Sequence, residues 1–119
     1  MKQVYVKWIP AGEPQVVFSE LIDGELKTLQ TKVGGYVELV RLSTGIDMYI
    51  NEEGKLQGLP INKVATQLYR HFRKVTDDLI VGNAILCGSR NGGVVSLSES
   101  RQKQIDKLIR GFGAFKHRG

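Results

Sequence analysis

The sequence predicts an α+β fold: a mixed or antiparallel sheet of about five or six strands, with two or three helices packed on one face and an amphipathic helix at the C-terminus. Three observations predict it. Apolar and polar side chains alternate from Ile46 to Asn51, as they do in a half-buried strand. Asn91-Gly92-Gly93 is the signal of a tight hairpin turn. Apolar residues near the end of the chain repeat at helical spacing: Ile105, Leu108, Ile109 and Phe112.

The N-terminal residues predict a β-hairpin. Lys2–Ile9 alternates as a first strand, and Gln15–Ile22 is a second strand candidate. Between them, Pro10–Pro14 contains two prolines and a glycine, which interrupt the hydrogen-bonding ladder and favour a turn.

A short helix and a strand are expected next. Asp23–Val33 has one apolar helical face, with Asp23 as a possible N-cap. Gly34-Gly35 should end this helix, because glycine adopts the left-handed conformation without a Cβ penalty. Tyr36–Leu42 is a β-rich run that precedes the Ile46–Asn51 strand.

A second helix follows a turn. Asn51-Glu52-Glu53-Gly54 predicts a type I turn with Gly54 in the left-handed position. Residues 62–75 have an apolar face at helical spacing, with Pro60 at the entry and Asn62 as the N-cap.

The last third predicts a buried strand, a hairpin and the final helix. Leu79–Cys87 is apolar at odd and even positions alike, so both faces of the strand should be buried, as expected of a central strand. Val94–Leu97 should return beside it. Ser96 with Glu99 could form a capping box for the final helix, and Ser98 is the alternative cap. Gly111 or Gly113 should end this helix.

The composition predicts one domain over residues 1–113 and a basic tail over residues 114–119. The sequence contains no apolar run long enough to cross a bilayer, so no membrane partner is expected. Lys7 interrupts what would be a signal-peptide core. Cys87 is the single cysteine and fits a reducing compartment. A cytoplasmic location is expected.

The positive charge is concentrated at the C-terminus. Residues 1–100 contain as many Lys and Arg as Asp and Glu, whereas Asp106 is the single acid in residues 101–119. The basic residues of that segment are Arg101, Lys103, Lys107, Arg110, Lys116 and Arg118. Such a patch attracts the phosphates of a nucleic acid or a nucleotide. A solvated helix face with a solubilising tail explains the same charges.

Catalytic signals are weak, and an enzyme is not favoured. His71 lies within the second helix without a second ligand at metal-binding spacing, and His117 lies in the basic tail. Cys87 is interpreted as a structural thiol. Asp77-Asp78 is interpreted as a helix stop rather than a cation site. No catalytic residue, metal or cofactor is expected.

Several polar and aromatic residues are candidates for ligand contacts. Arg90 and Asn91 at the hairpin tip could contact a phosphate or a base, although a plain turn explains them equally. Tyr36, Tyr49 and Trp8 could stack on a base or simply pack in the sheet.

Four sequence blocks resemble a small family of uncharacterised domains that is common in bacteriophages, plasmids and other mobile elements. The blocks are Gly34-Gly35-Tyr36-Val37-Glu38, Asn51-Glu52-Glu53-Gly54-Lys55, Gly58-Leu59-Pro60 with Asn62, and Ile80-Val81-Gly82-Asn83-Ala84 with Cys87-Gly88. The similarity covers about residues 2–110. The family carries no agreed activity and no catalytic residues. The resemblance implies a mobile-element origin.

That origin leads to the main hypothesis, a phage anti-defence protein that sequesters a nucleotide immune second messenger without cleaving it. The ligand would be of the cyclic ADP-ribose type or a cyclic oligonucleotide, held by a homo-oligomer in the cytoplasm of the infected bacterium. Arg101, Lys107 and Arg110 would contact the phosphates. Tyr36 or Tyr49 would stack on a base. The polar edges would be read by Asn51, Asn62 or Asn91.

Two other functions remain open. A nucleic-acid-binding accessory protein would use the basic C-terminal helix on the phosphate backbone, and its affinity would fall steeply with salt. A phosphodiesterase would release a changed product, and the shortage of histidines argues against it.

Overall fold

The computed structural model describes residues 3–112 and 116–118 and confirms the α+β class. Its elements, in chain order, are β1 (Val4–Ile9), β2 (Val16–Ile22), α1 (Leu26–Val33), β3 (Val37–Ser43), β4 (Ile46–Asn51), α2 (Lys63–Arg73), β5 (Ala84–Arg90), β6 (Gly93–Val95), α3 (Glu99–Gly111) and β7 (Lys116–Arg118).

The strands form one mixed sheet in the order β3-β4-β5-β1-β2-β7, and β6 pairs with the end of β5. All neighbours are antiparallel except β2 and β7, which are parallel. The predicted N-terminal hairpin is confirmed, with Val4 opposite Ile22 and Trp8 opposite Phe18. Residues 116–118, in the predicted tail, form β7.

Helices cover both faces of the sheet, so the prediction that they pack on one face is wrong. α2 and α3 pack on one face, where Leu68 and Ile109 join Met48 and Leu86 in the larger core. α1 covers the other face with Leu29 and Val33. For the same reason β4 is not half-buried: its polar residues Asp47 and Asn51 are 3% and 4% exposed.

Helix α1 ends as predicted but begins differently. Gly34 takes the left-handed conformation at φ 81° and donates its N–H to the carbonyl of Gln30. The N-cap is Glu25, whose side chain does not bond the helix. Asp23 instead accepts a hydrogen bond from the Glu25 N–H in the preceding turn, which lowers the pKa of its carboxyl.

The turn after β4 forms, but Gly54 lacks the predicted left-handed conformation. The Gly54 N–H reaches the carbonyl of Asn51, and the chain then winds on until Gly58, whose φ is 66°. A Cβ on Gly54 would lie 3.0 Å from Cγ2 of Val81, so close packing explains this glycine instead.

The central strand is shorter than predicted, because it begins at Ala84 rather than Leu79. Gly82 has a φ of 76°, which interrupts the extended chain, and Val81 forms only an isolated bridge with Ile61. The hairpin after it is confirmed: Asn91 and Gly92 both have positive φ, 52° and 79°.

The final helix is confirmed, with Ser98 as its cap. The Ser98 hydroxyl accepts a hydrogen bond from the Arg101 N–H, whereas Ser96 accepts one from the Tyr5 N–H of β1. The helix ends at Gly111, and Gly113 lies outside the described residues.

Candidate functional site

Two arginines from separate elements line one depression at the N-terminal end of α3. Arg90 comes from the end of β5 and Arg101 from the first turns of α3. The depression has a volume of about 310 Å³ and is called the arginine depression below. The residues that line it are Thr44, Gly45, Gly88, Ser89, Arg90, Val95, Ser96, Ser98 and Arg101. This volume lies at the lower end of the range for small-molecule sites.

Arg101 is held in place by its neighbours. Its Nη2 donates to the carbonyl of Thr44 at 2.5 Å, and its Nη1 donates to Oε1 of Gln104 at 2.7 Å. A Cβ on Gly45 would lie 3.6 Å from Nε, so the guanidinium lies close to the β3–β4 turn. A partly ordered guanidinium loses little freedom when it binds an anion.

Arg90 and Asn91 lie at the exposed tip of the β5–β6 hairpin. Among the described residues, the guanidinium of Arg90 has no hydrogen-bond or ion-pair partner. Asn91 supplies the positive φ that the two-residue turn needs, and its side chain does not line the arginine depression. The turn therefore explains Asn91, whereas the Arg90 guanidinium is unpaired within the part of the chain that the structure describes.

The electrostatics of the depression favour an anion. The N-terminus of a helix carries a partial positive charge, and Ser98 and Arg101 place that end of α3 beside the depression. Four of the lining residues carry hydroxyl side chains, Thr44, Ser89, Ser96 and Ser98, and none of the described lining residues is acidic. The hydroxyls of Ser96 and Ser98 already accept hydrogen bonds from the N–H groups of Tyr5 and Arg101. Hydroxyls and guanidinium groups are suitable donors to phosphate oxygens.

A close chain crossing shapes the depression. A Cβ on Gly88 would lie 2.4 Å from the carbonyl oxygen of Ser96, so only glycine allows the β6–α3 connection to cross β5 there. The Ser96 hydroxyl and the Leu97 N–H are both tied to Tyr5 of β1. These contacts fix where α3 begins, and hence where Arg101 lies.

Lys107 and Arg110, the other predicted phosphate ligands, are exposed on α3 and do not line the arginine depression. They lie about 9 Å and about 14 Å further along the helix than Arg101 at the helical rise per residue. The structure therefore brings Arg90 and Arg101 together and leaves Lys107 and Arg110 apart from them.

The predicted aromatic contacts lie elsewhere. Tyr36 is 68% exposed beside a second depression, which it shares with Gln30, Glu53 and Gln57. Its carbonyl accepts from the Glu52 N–H just after β4, whereas Thr44 and Gly45 precede β4. The length of β4 places the two depressions about 20 Å apart.

Tyr49 is half-buried in the core beneath α1, and burial raises the pKa of its phenol. Trp8 is packed against the same core, with Phe18 at 5.4 Å between ring centroids and Nζ of Lys32 4.1 Å from its ring. Both aromatic side chains therefore pack in the sheet.

The predicted asparagines Asn51 and Asn62 form internal hydrogen bonds. Asn51 accepts from the Glu53 N–H and donates to the carbonyl of Val33. Asn62 is fully buried and caps α2 by accepting from the Ala65 N–H. Its amide also donates to the carbonyls of Ile9 and Gly82. Those bonds join α2 to the sheet and to the loop before β5.

Side chains of the types that act in catalysis or metal binding lie apart from one another in the described structure. Cys87 is buried, and burial raises the pKa of its thiol to about 12. His71 is exposed on α2 and makes an edge contact with Phe72 at 5.1 Å between ring centroids. Among the described residues, no three His, Cys, Asp or Glu side chains come together as a metal-binding group.

The sequence reasoning missed the serines and the β3–β4 turn. Ser96 and Ser98 line the depression but are interpreted from the sequence only as helix caps, and Thr44 and Gly45, which also line it, are not singled out from the sequence. The sequence does contain a signal for an anion site. Ser96-Leu97-Ser98 directly precedes a predicted helix N-terminus, and Arg90 and Arg101 lie on either side of this segment.

The described residues form an α+β fold with a surface depression that two arginines line at the N-terminus of α3. The chain belongs to the family described as a domain of unknown function, DUF3846, whose model matches residues 2–110. No curated protein and no solved structure matches the chain. No helix among the described residues has the length and apolar character needed to traverse a bilayer.

Proposed function

We propose that this chain is a non-enzymatic protein that binds an anionic nucleotide in the arginine depression and does not cleave it. Its source, in this proposal, is a phage or another mobile element. Its ligand is an immune second messenger of the cyclic ADP-ribose or cyclic oligonucleotide type, sequestered in the cytoplasm of the infected bacterium.

The single observation that carries this proposal is the meeting of Arg90 and Arg101 at the N-terminus of α3. Two arginines and four residues with hydroxyl side chains line the depression beside a helix N-terminus, and groups of these kinds stabilise phosphates. Arg101 is already oriented by Thr44 and Gln104, whereas Arg90 is exposed and can move onto a ligand.

Retention without cleavage is supported by the chemistry of the lining residues. Enzymes that cleave a phosphodiester typically place a general base, a nucleophilic side chain or carboxylate-bound metal ions near the phosphate. The described residues that line the arginine depression include no histidine, carboxylate or cysteine. The proposal therefore assigns the site to binding.

A homo-oligomer forms part of the proposal. Tyr36 and Arg101 of one chain are separated by about the length of β4, which is about 20 Å. A second protomer would bring an exposed tyrosine to the phosphate end of the ligand. Light scattering with and without nucleotide measures the oligomeric state directly.

The test is a thermal-shift screen against cyclic nucleotides, followed by denaturation of the complex and chromatography of the released ligand. We expect one ligand to raise the melting temperature by about 10 °C at a hundredfold excess over its Kd. That ligand should be recovered unchanged. A chemically altered product would contradict the proposal and indicate a phosphodiesterase.

The second candidate function is nucleic-acid binding by α3. Lys107 and Arg110 are exposed and lack ion-pair partners among the described residues, unlike Lys103, which pairs with Glu99 at 3.4 Å. Under this alternative, affinity for DNA or RNA falls steeply with salt and is lost on replacing Lys107 and Arg110.

A further inference from the structure

A further cavity, separate from the arginine depression and from the depression beside Tyr36, lies at the C-terminal end of β4. The start of β3, helix α2 and the two loops that contain Leu56 and Leu79 form its other sides. It has a volume of about 170 Å³. This is close to the size of engineered cavities that hold a single benzene ring and well below that of typical nucleotide-sized sites. The cavity therefore suits one side-chain-sized group.

The cavity has an apolar floor and a mixed lining, in which charged and polar residues stand beside apolar ones. Val40, Ile50 and Ile80 belong to or pack against the larger core and form its floor. At its rim, Leu56 is 87% exposed and Leu79 is 37% exposed. Leu56 lies in a loop fixed by backbone hydrogen bonds from Gln57 to Glu53 and from Leu59 to Gly54. An apolar stem could bury part of this exposed surface.

Among the described residues that line the cavity, acidic side chains outnumber basic ones. They are Glu38, Glu52 and Asp78 against Lys55. Outside this lining, Arg70 donates from Nε to the carbonyl of Asp78. Lys55 Nζ lies 2.8 Å from Oδ1 of Asp78, so these two charges neutralise each other. This pair raises the pKa of Lys55 and lowers the pKa of Asp78. Of the acidic residues that line the cavity, Glu38 and Glu52 therefore keep charges that this pair does not neutralise.

Neither remaining carboxylate has a hydrogen-bond or ion-pair partner within the described part of the chain. Glu38 acts on Lys55 only through its field. The ring of Tyr69, which is half-buried, forms a further wall and can stabilise a cation at its face. A negative, apolar-floored cavity contrasts with the protein as a whole, whose formal net charge is +5.

We propose that this cavity binds an aliphatic ammonium or guanidinium group, with its stem on Val40, Ile50 and Ile80 and its cation between Glu38 and Glu52. The chemistry is that of a lysine or arginine side chain of a partner protein, or of a free polyamine. The site is independent of the arginine depression and takes the opposite charge.

The test follows ¹H–¹⁵N amide shifts while n-butylammonium, 1-butanol or butyrate is added. We expect n-butylammonium to bind in the millimolar range and to shift the amides of Glu52, Leu56 and Val81. The alcohol and the carboxylate should bind at least about tenfold more weakly. Equal binding of all three, or no binding of n-butylammonium, overturns the proposal.

Matched variants locate the cation. Glu38→Gln and Glu52→Gln should each weaken n-butylammonium binding about threefold to fivefold, the size expected for a solvent-screened charge pair. Glu53→Gln is the control, because Glu53 is exposed in the same loop but does not line this cavity. An equal loss in Glu53→Gln means a general surface-charge effect and overturns the proposal.

Three further probes identify the source of the cation. Binding of the peptide Gly-Gly-Lys-Gly-Gly about tenfold more tightly than n-butylammonium supports a protein side chain as the occupant. The same gain with spermidine supports a free polyamine. The peptide Gly-Gly-Arg-Gly-Gly tests the guanidinium in the same way. If all of these probes bind more weakly than n-butylammonium, the rim excludes protein side chains and polyamines, and the proposal fails.

Discussion

The ammonium group of Lys7 in β1 lies 2.8 Å from Oδ1 of Asp106 in α3, and only 2% of Lys7 is exposed. The same ammonium donates to the Ser19 hydroxyl at 2.6 Å. This buried contact joins the middle of α3 to the centre of the hairpin. It therefore helps to fix the helix whose first turns carry Arg101.

Removing one partner of this ion pair should destabilise the protein strongly. We expect Asp106→Ala to lower the free energy of unfolding by about 2–4 kcal/mol, because Lys7 would remain buried without its counter-ion. Lys7→Met should cost less, since it replaces the charge with an apolar side chain of similar length. Urea denaturation measures both. A larger loss in Lys7→Met than in Asp106→Ala would contradict this.

The crossing of β5 by the β6–α3 connection depends on Gly88. Gly88→Ala should lower the free energy of unfolding by about 2–3 kcal/mol, because its Cβ would overlap the carbonyl of Ser96. Gly111→Ala is the control, since a Cβ there meets nothing within 4 Å and alanine favours a helix. Equal stability of Gly88→Ala and the parent protein would show that the connection does not cross there.

The stability of an Asn62 variant without ligand distinguishes a structural role of this residue from a role in ligand binding. Asn62→Ala should lower the free energy of unfolding by about 3 kcal/mol, because it leaves the carbonyls of Ile9 and Gly82 and the N–H of Ala65 without their partner. Asn91→Gly, at an exposed turn position with φ 52°, should change stability by less than about 0.5 kcal/mol. Thermal melts without ligand test both. An unchanged melting temperature in Asn62→Ala would contradict the assigned hydrogen bonds.

Cys87 should be inert in the folded protein and should make stability fall at high pH. Its thiol pKa is raised from 9.0 to about 12 by burial, so between these values the unfolded chain loses a proton that the folded chain keeps. The free energy of unfolding should therefore decrease as the pH rises above 9.

Two measurements check the Cys87 prediction. Thiol labelling at pH 8 should occur at the rate of global unfolding. The slope of stability against pH above 9 should be smaller in Cys87→Ala than in the parent protein. Rapid labelling without denaturant would show an accessible thiolate instead.

Local chain chemistry explains why much of the fold could be predicted. The Asn91-Gly92 turn, the Asn62 cap and the Gly34 helix end each depend on a few adjacent residues, and all three form as predicted. Gly54 and Gly82 were misinterpreted for a non-local reason. Packing against Val81 explains the first, and a positive φ before β5 explains the second.

The candidate site was harder to predict, because it is assembled from distant segments. Arg101 was predicted as a phosphate ligand from its charge, and Arg90 from its place at a hairpin tip. Their meeting depends on Gly88, which lets the chain cross β5 and start α3 beside the β3–β4 turn. No sequence spacing encodes this arrangement. Arg101, Lys107 and Arg110 were therefore predicted alike as phosphate ligands, and the sequence could not show that Arg101 alone of the three lines the depression.

The most direct measurement is the affinity of matched double variants of the protein for the nucleotide. Calorimetric titration with the ligand from the thermal screen should show at least about a hundredfold loss of affinity in Arg90→Gln/Arg101→Gln, if each charge-assisted bond contributes about 1.5 kcal/mol. Lys107→Gln/Arg110→Gln removes the same charge from α3 outside the arginine depression and should bind within about threefold of the parent protein. Equal losses in the two double variants, or loss only in the second, would contradict nucleotide binding at the arginine depression.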